Sequence, residues 1–435
     1  MAEQRATIRR IERDATRDRG RSAAADAQTR PPNELRALGG LVFEDLSALP
    51  RAIRDMHLAI ADRAFQSVGP ASRPVRVIHN AVSRRAYDAV SSATALAGWA
   101  VDAAMEQQGI GEGVMLSSTR RGGVAISALN GVIGDRLERS GSDLHQPASV
   151  RVDGETVAPD PGAVSTAFPD ATSRLVVFLH GLMGNEFSWE WGAANPVDAY
   201  GPRLASDLGC TPVYLRYNSG LHVSESGRSV AALLEDLVGT WPVEVREIAL
   251  VGHSMGGLVA RSAGHQASQS GQRWTERVRH IVSLGTPHVG APLEQGIHVA
   301  AEALYTLPET RMLGAFLRRR SAGIRDLRYG SLVDEDWRGR DPNALGVAAT
   351  EEVPLLEGVA HFFVSASITR SPSHPLGRLL GDALVLVPSA TGQGAARRIS
   401  FQAEYRHNVG PTHHLALLNH REVYEHLHEW LQCPR

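Results

Sequence analysis

The chain has 435 residues, of which 43% are apolar, 21% charged and 6% aromatic, and 45 basic against 47 acidic side chains leave a formal net charge of −2. The charge balance excludes a dedicated nucleic-acid binder, and the apolar fraction excludes wholesale disorder. Two cysteines, Cys210 and Cys433, are too few for a disulfide framework or a four-cysteine zinc site, so two reduced thiols are expected, with a single bridge as the alternative.

No run reaches the ~18 to 20 uninterrupted apolar residues of a membrane span. The N-terminal arginines are not followed by an apolar core, so no secretory signal is recognised and a cytoplasmic location is expected. Residues 1–34 alternate charges of both signs before Pro31-Pro32 and read as a flexible arm. Residues 35–147 read as helical. Leu49, Ile53, Met56 and Ile60 fall on one helical face, and Val75, Ile78, Val82, Ala86 and Ala89 repeat the stripe. Such a region caps the main domain, or else docks on lipid or a partner.

The texture changes near residue 148, where a domain running to 435 is expected. Ser149 to Val157 alternates around Asp153-Gly154, the signature of a hairpin. Short apolar runs then recur between helical stretches: Leu175–Leu179, Pro212–Leu215, Ile248–Val251, His280–Leu284 and Phe362–Ser365. That alternation predicts an α/β fold with a mostly parallel sheet flanked by helices. The stretch of about 291–355 exceeds one strand–helix unit and reads as a helical lid or cap insertion. Its apolar face (Ala300, Leu304, Leu307, Leu313, Phe316, Leu317) either shields an acyl chain or packs as core.

The chemistry centres on Gly252-His253-Ser254-Met255-Gly256, a G-x-S-x-G pattern. The bare pattern is common, but here an apolar run leads in and the helix-compatible Leu258–Gln266 follows. Ser254 therefore sits on a sharp strand-to-helix turn, where bulky neighbours would clash and glycines belong two residues either side. A second strand ends in His180-Gly181-Leu182-Met183-Gly184. A tetrahedral intermediate needs two aligned N–H groups, each worth ~3 to 4 kcal/mol of barrier, and the amides of Leu182 and Met255 are assigned to them. His180 itself reads as a turn-stabilising residue.

A serine nucleophile needs a histidine base and a carboxylate to hold its tautomer, in the chain order serine, acid, histidine. Asp382, after a glycine and before an apolar run, suits the acid; Asp326, Asp334, Asp336 and Asp341 compete from inside the insertion. The base belongs in the loop before the last helix (Val423–Leu431), which favours His413 or His414 over His420. The histidines near the C-terminus do not match H-E-x-x-H, and no cysteines accompany them, so no metal and no cofactor is expected.

GHSMGGLVAR, HGLMG, LGTPHVGAP (284–292), GDALVLVPSA and HHLALLNHREVY together resemble the α/β-hydrolase lipases and esterases, most closely bacterial relatives of the GPI inositol-deacylase group. The resemblance covers roughly residues 170–435. It implies the α/β-hydrolase fold and, because the family's base is a histidine followed by Leu-x-Leu-Leu, it assigns that role to His414. TPVYLRYNSGLH (211–222) also resembles the family, with Arg216 and Asn218 in structural or functional roles. The expected activity is hydrolysis of carboxylic esters, lipid acyl esters first, through Ser254, His414 and Asp382. The alternatives are an acyl-thioesterase with the same triad, or a non-catalytic lipid-surface or partner-binding protein on the same scaffold. Expected partners are a lipid or other ester substrate, with peripheral lipid-surface contact and no nucleic acid.

Overall fold

The computed structural model describes residues 33–41, 115–291, 320–344, 350–371, 384–393 and 405–432, with scattered positions between them that include Gly381 and Asp382. Helix α1 (Arg120–Arg139) begins after Thr119, whose side chain accepts from the Gly122 amide. The hairpin follows as β1 (Ser149–Val152) and β2 (Glu155–Val157). Asp153 and Gly154 take φ of 50° and 85°, the paired left-handed conformation that matches a two-residue turn to strand twist.

Helix α2 (Pro161–Ala167) is capped by Asp160 and leads into β3 (Arg174–Leu179). Helix α3 (Tyr200–Leu208), β4 (Thr211–Arg216), α4 (Val223–Thr240), β5 (Glu247–His253), α5 (Met255–Gln269) and β6 (Val278–Leu284) follow. Strands β7 (Ala360–Ala366) and β8 (Arg406–Val409) and helix α6 (Arg421–Gln432) complete the order. The eight strands form one sheet in the order β2-β1-β4-β3-β5-β6-β7-β8. Strands β3 to β8 are parallel, and the hairpin adds antiparallel strands beside β4.

From β3 the chain moves to β4 on one side, then crosses to β5 on the other. The order reverses there, and such a switch point opens a crevice at the carboxyl ends of the two strands. Two apolar cores cover the sheet. One packs α4 and α5 through residues such as Leu234, Leu258 and Ala263; the other packs α3 and α6 through Tyr200, Leu204, Val423 and Leu427. Among the described residues no helix is long and apolar enough to cross a membrane. Cys210 is a free, buried thiol; Cys433 lies outside the described residues.

Helix α1 packs closely on the sheet domain. A β-carbon at Gly131 would lie 2.4 Å from Met183 Cγ, and one at Gly134 would lie 1.9 Å from Asn218 Oδ1. Arg216, at the end of β4, is fully buried and carries the junction. Its Nε donates to Glu186 at 2.7 Å, its Nη2 also reaches Glu186, and its Nη1 donates to the Ser117 carbonyl at 2.7 Å. Ser117 in turn donates its amide and hydroxyl to the buried Glu34 carboxylate, at 2.7 and 2.5 Å. Residues 34–41 are helical, so helix begins at Glu34, the residue at which the sequence ended the arm. The remainder of the expected arm, the two apolar stripes near 49–60 and 75–89, and the apolar face at 300–317 lie outside the described residues.

The described part of the insertion is docked. Asp326 accepts from the Val223 amide at 2.7 Å and contacts His222 Nδ1 at 3.0 Å, while His222 stacks on Trp337 at 3.7 Å. Ser321 Oγ donates to the Gly131 carbonyl at 2.6 Å, so the insertion also touches α1.

Removing one partner of a buried ion pair leaves the other charged and desolvated, at a cost of about 3–5 kcal/mol. Arg216→Ala is therefore expected to lower unfolding free energy by that amount in urea titrations. A loss below about 1 kcal/mol, the range of an exposed pair, would show that Glu186 stays hydrated.

Candidate active site

Strand β5 ends at His253, and the chain turns through Ser254 into α5. Ser254 has φ 53° and ψ −123°, a region that costs a non-glycine residue of order 1–3 kcal/mol. Its neighbours explain how the turn closes. A β-carbon at Gly252 would meet Gly257 N at 2.4 Å, and one at Gly256 would meet the Leu179 carbonyl at 2.2 Å. Only glycines let the turn and the end of β3 come this close. The Ser254 amide donates to Leu284 O at 2.8 Å, which ties the turn to β6.

The turn after β3 lies against it: a β-carbon at Gly181 would lie 3.0 Å from Ser254 Cβ. Met183 adopts φ 62°, held by its amide donating to Ser219 Oγ at 3.0 Å. Gly184 N donates back to Gly181 O at 3.0 Å. Among the described hydrogen bonds, neither the Leu182 amide nor the Met255 amide is a donor. Two main-chain N–H groups beside one serine can receive a developing oxyanion.

Asp382 is buried and follows Gly381, whose φ is 57°. Its Oδ1 accepts from the amides of Leu384 and Val385 at 3.0 and 2.7 Å, and its Oδ2 accepts from His414 Nδ1 at 2.7 Å. The His414 amide also donates to the Asp382 carbonyl at 3.0 Å. With Nδ1 as donor, Nε2 carries the lone pair, the tautomer a general base needs. The ring lies over Gly285, where a β-carbon would come within 3.1 Å of it. Leu284, the residue before that glycine, holds the Ser254 amide. Ser254 and His414 do not share a hydrogen bond, and such contacts often tighten only when substrate binds.

The other candidates are occupied elsewhere. The side chain of His413 accepts from the Ala416 amide, and His420 Nε2 lies 3.5 Å from Thr412 Oγ1. Asp326 holds the start of α4, Asp334 pairs with Arg228 and Arg338, Asp336 accepts from Leu332 and Val333, and Asp341 accepts from Asn343. Arg216 makes the buried contacts described above, and Asn218 is held by main-chain partners. Asn218 donates to Gly134 O at 3.0 Å and accepts from Gly220 N at 2.9 Å.

His180 is indeed a turn residue. Its Nδ1 donates to Gly181 O at 2.8 Å, its Nε2 accepts from Tyr217 N at 3.2 Å, and its ring stacks on Tyr217 at 4.1 Å. Burial pushes its pKa down to about 4. His253 is buried beside His414 and contacts its carbonyl at 3.3 Å; burial first, and the neighbouring ring second, push its pKa down to about 3. Sequence reasoning missed Ser219, Tyr217 and Asn419. Asn419 has φ 58° and ties the His414 loop to Tyr200 N, Trp189 O and Trp191 O at 2.8, 2.7 and 2.8 Å. Its position just after Leu417-Leu418, ahead of a helix, was the available signal.

The sheet with its switch point and the strained serine turn give the chain the α/β-hydrolase fold. Its likeness within that fold is to lipases and esterases. Residues 230–313 match the family model of a PGAP1-like alpha/beta domain. A triacylglycerol lipase of Burkholderia plantarii is 30% identical over 204 residues, 45% of this chain and 50% of the lipase, so the chain spans about half the length of that curated relative. Among solved structures, the mature lipase BlEst2 of Bacillus licheniformis is 18% identical, with 59% of this chain and 91% of that one covered and a TM-score of 0.37. An esterase of Pyrobaculum calidifontis is also 18% identical, covering 60% and 76%, with a TM-score of 0.33.

The depressed histidines set an acid limit. A ring with folded pKa near 4 or 3 and unfolded pKa near 6.5 is neutral in the fold and protonated in the unfolded chain between those values. Their contribution is fully present above about pH 6.5 and is lost as pH falls toward 4, by up to about 1.4 kcal/mol per pH unit for each ring. Urea titrations from pH 7.5 to 4.5 are expected to show that decline; a flat profile would mean the rings are not held neutral.

Proposed function

We propose that this chain is a serine hydrolase of carboxylic esters, with lipid acyl esters as its substrates. Ser254 Oγ attacks the acyl carbonyl while His414 Nε2 takes its proton. Asp382 holds the ring and stabilises the imidazolium that forms. The amides of Leu182 and Met255 receive the oxyanion as the tetrahedral intermediate develops. The protonated His414 then gives its proton to the leaving alcohol, and water activated by the same ring releases the acid from the acyl-enzyme.

The observation that carries this reading is the Asp382–His414 pair at 2.7 Å, its ring over the glycine next to the residue that binds the Ser254 amide. Two further features favour an apolar acyl group. Met183 and Leu415, which follow the assigned oxyanion and base residues in the chain, and Leu384, two residues after Asp382, are each 38–41% exposed, so apolar side chains accompany all three assigned positions. A triacylglycerol lipase is also among the relatives.

Hydrolysis of p-nitrophenyl esters from acetate to palmitate, with wild type and Ser254→Ala side by side, tests the reading. Activity is expected to peak at long chains and to vanish in Ser254→Ala without change in thermal midpoint. Asp382→Asn should lose about 10⁴-fold in kcat, the cost of the wrong tautomer. Unimpaired turnover by Ser254→Ala overturns the mechanism, and a short-chain optimum overturns the lipid assignment.

A further inference from the structure

β8 and α6 bracket the 410–420 loop that carries His414. Where they meet, three side chains outside the triad converge. His407 Nε2, on the edge strand, lies 2.7 Å from Glu422 Oε1 in the first turn of α6. Glu422 and His426 are four residues apart and share a helix face. The His407 and His426 rings approach to 3.9 Å between centroids, at 46°. One ligand atom from each of the three, imidazole nitrogen or carboxylate oxygen, lies within 4.8 Å of both others. Beside the trio, the Glu429 carboxylate stands 3.6 Å from His426 Nδ1, which is buried with no hydrogen-bond partner.

We infer that His407, Glu422 and His426 form a binding site for a divalent transition metal, zinc in the first instance, that clamps the two ends of the base-bearing loop. The donor set favours it. Two imidazoles and a carboxylate suit zinc, whereas calcium and magnesium take oxygen ligands. Two neutral rings with the Glu422 and Glu429 carboxylates balance a charge of +2. Tetrahedral bonds of about 2.05 Å place donors about 3.3 Å apart. The His407–Glu422 contact therefore opens by roughly 0.6 Å on binding, as two bonds to the metal replace the hydrogen bond. All three side chains are partly exposed, at 23%, 46% and 28%, so an ion has a way in and water a place in the fourth position. The described contacts of the trio include neither Ser254, Asp382 nor His414, so the metal holds the loop and takes no part in the chemistry. Fifteen residues separate His407 from Glu422, which is why no ligand-spacing motif marks the site in the sequence.

The test uses the full chain without an affinity tag, stripped with EDTA and titrated with zinc chloride by calorimetry and thermal melting. One equivalent of zinc should bind and raise the melting midpoint, and calcium should do neither. Glu422→Gln, which keeps side-chain size and helix, and His426→Ala should each weaken binding by more than about tenfold, since even an outer-shell partner is worth 10–100-fold. Both should abolish the rise in melting midpoint. Absence of zinc binding by the wild type overturns the site, as does binding that neither substitution weakens. If His426→Ala does not fold, Glu422→Gln decides alone. Ester hydrolysis is not the readout, so a failure of the proposed activity leaves this result interpretable.

Discussion

The arrangement depends on how closely the turn after β5 approaches the end of β3. With a carbonyl 2.2 Å from the place a β-carbon would occupy at Gly256, main chain meets main chain with no side chain between. That proximity brings α5 onto the sheet beneath the serine and keeps Ser254 in a conformation it would otherwise leave. The strain, of order 1–3 kcal/mol, is offset by the buried core formed by α4 and α5 on the same sheet face. A fold with a less extensive core would relax the turn and lose the site.

Asp382 and His414 are held by a different logic. Asp382 is fixed by its own local turn, whose amides satisfy one carboxylate oxygen and leave the other for His414. His414 is positioned by more distant groups. Its loop is pinned by Asn419 to the 189–191 segment and to the start of α3, and Tyr200 Oη donates to Leu417 O at 2.7 Å. His253 closes the remaining side through the His414 carbonyl. The serine is thus held by backbone proximity and the histidine by side-chain hydrogen bonds, so substitutions in the two halves affect function by different routes.

The legible parts of this molecule are those written in local chemistry. The Asp153-Gly154 turn, the five parallel-strand runs, the glycines around Ser254 and the helix after it all lie where periodicity and turn residues indicate. Asp382 stands out in the sequence because a glycine and an apolar run frame it. The adjacent histidines were not separable by spacing; the family likeness chose His414, whose Nδ1 donates to Asp382. What escaped is long-range and polar. Nothing in the pattern around Glu34 points to Ser117, 83 residues away, or connects Arg216 to Glu186 across 30. Such pairs are specified by the topology that brings them together, and a single chain has no periodic signal for them.

The change of texture near residue 148 looks like a boundary between modules, yet the contacts cross it. Gly131 and Gly134 admit Met183 and Asn218, and Arg216 reaches back to Ser117. In evolutionary terms, α1 cannot be exchanged for the leading segment of another hydrolase as a unit. A replacement would have to bring small residues opposite positions 183 and 218 and a carbonyl opposite Arg216. The leading segment and the catalytic sheet are therefore expected to vary together, as one inherited block.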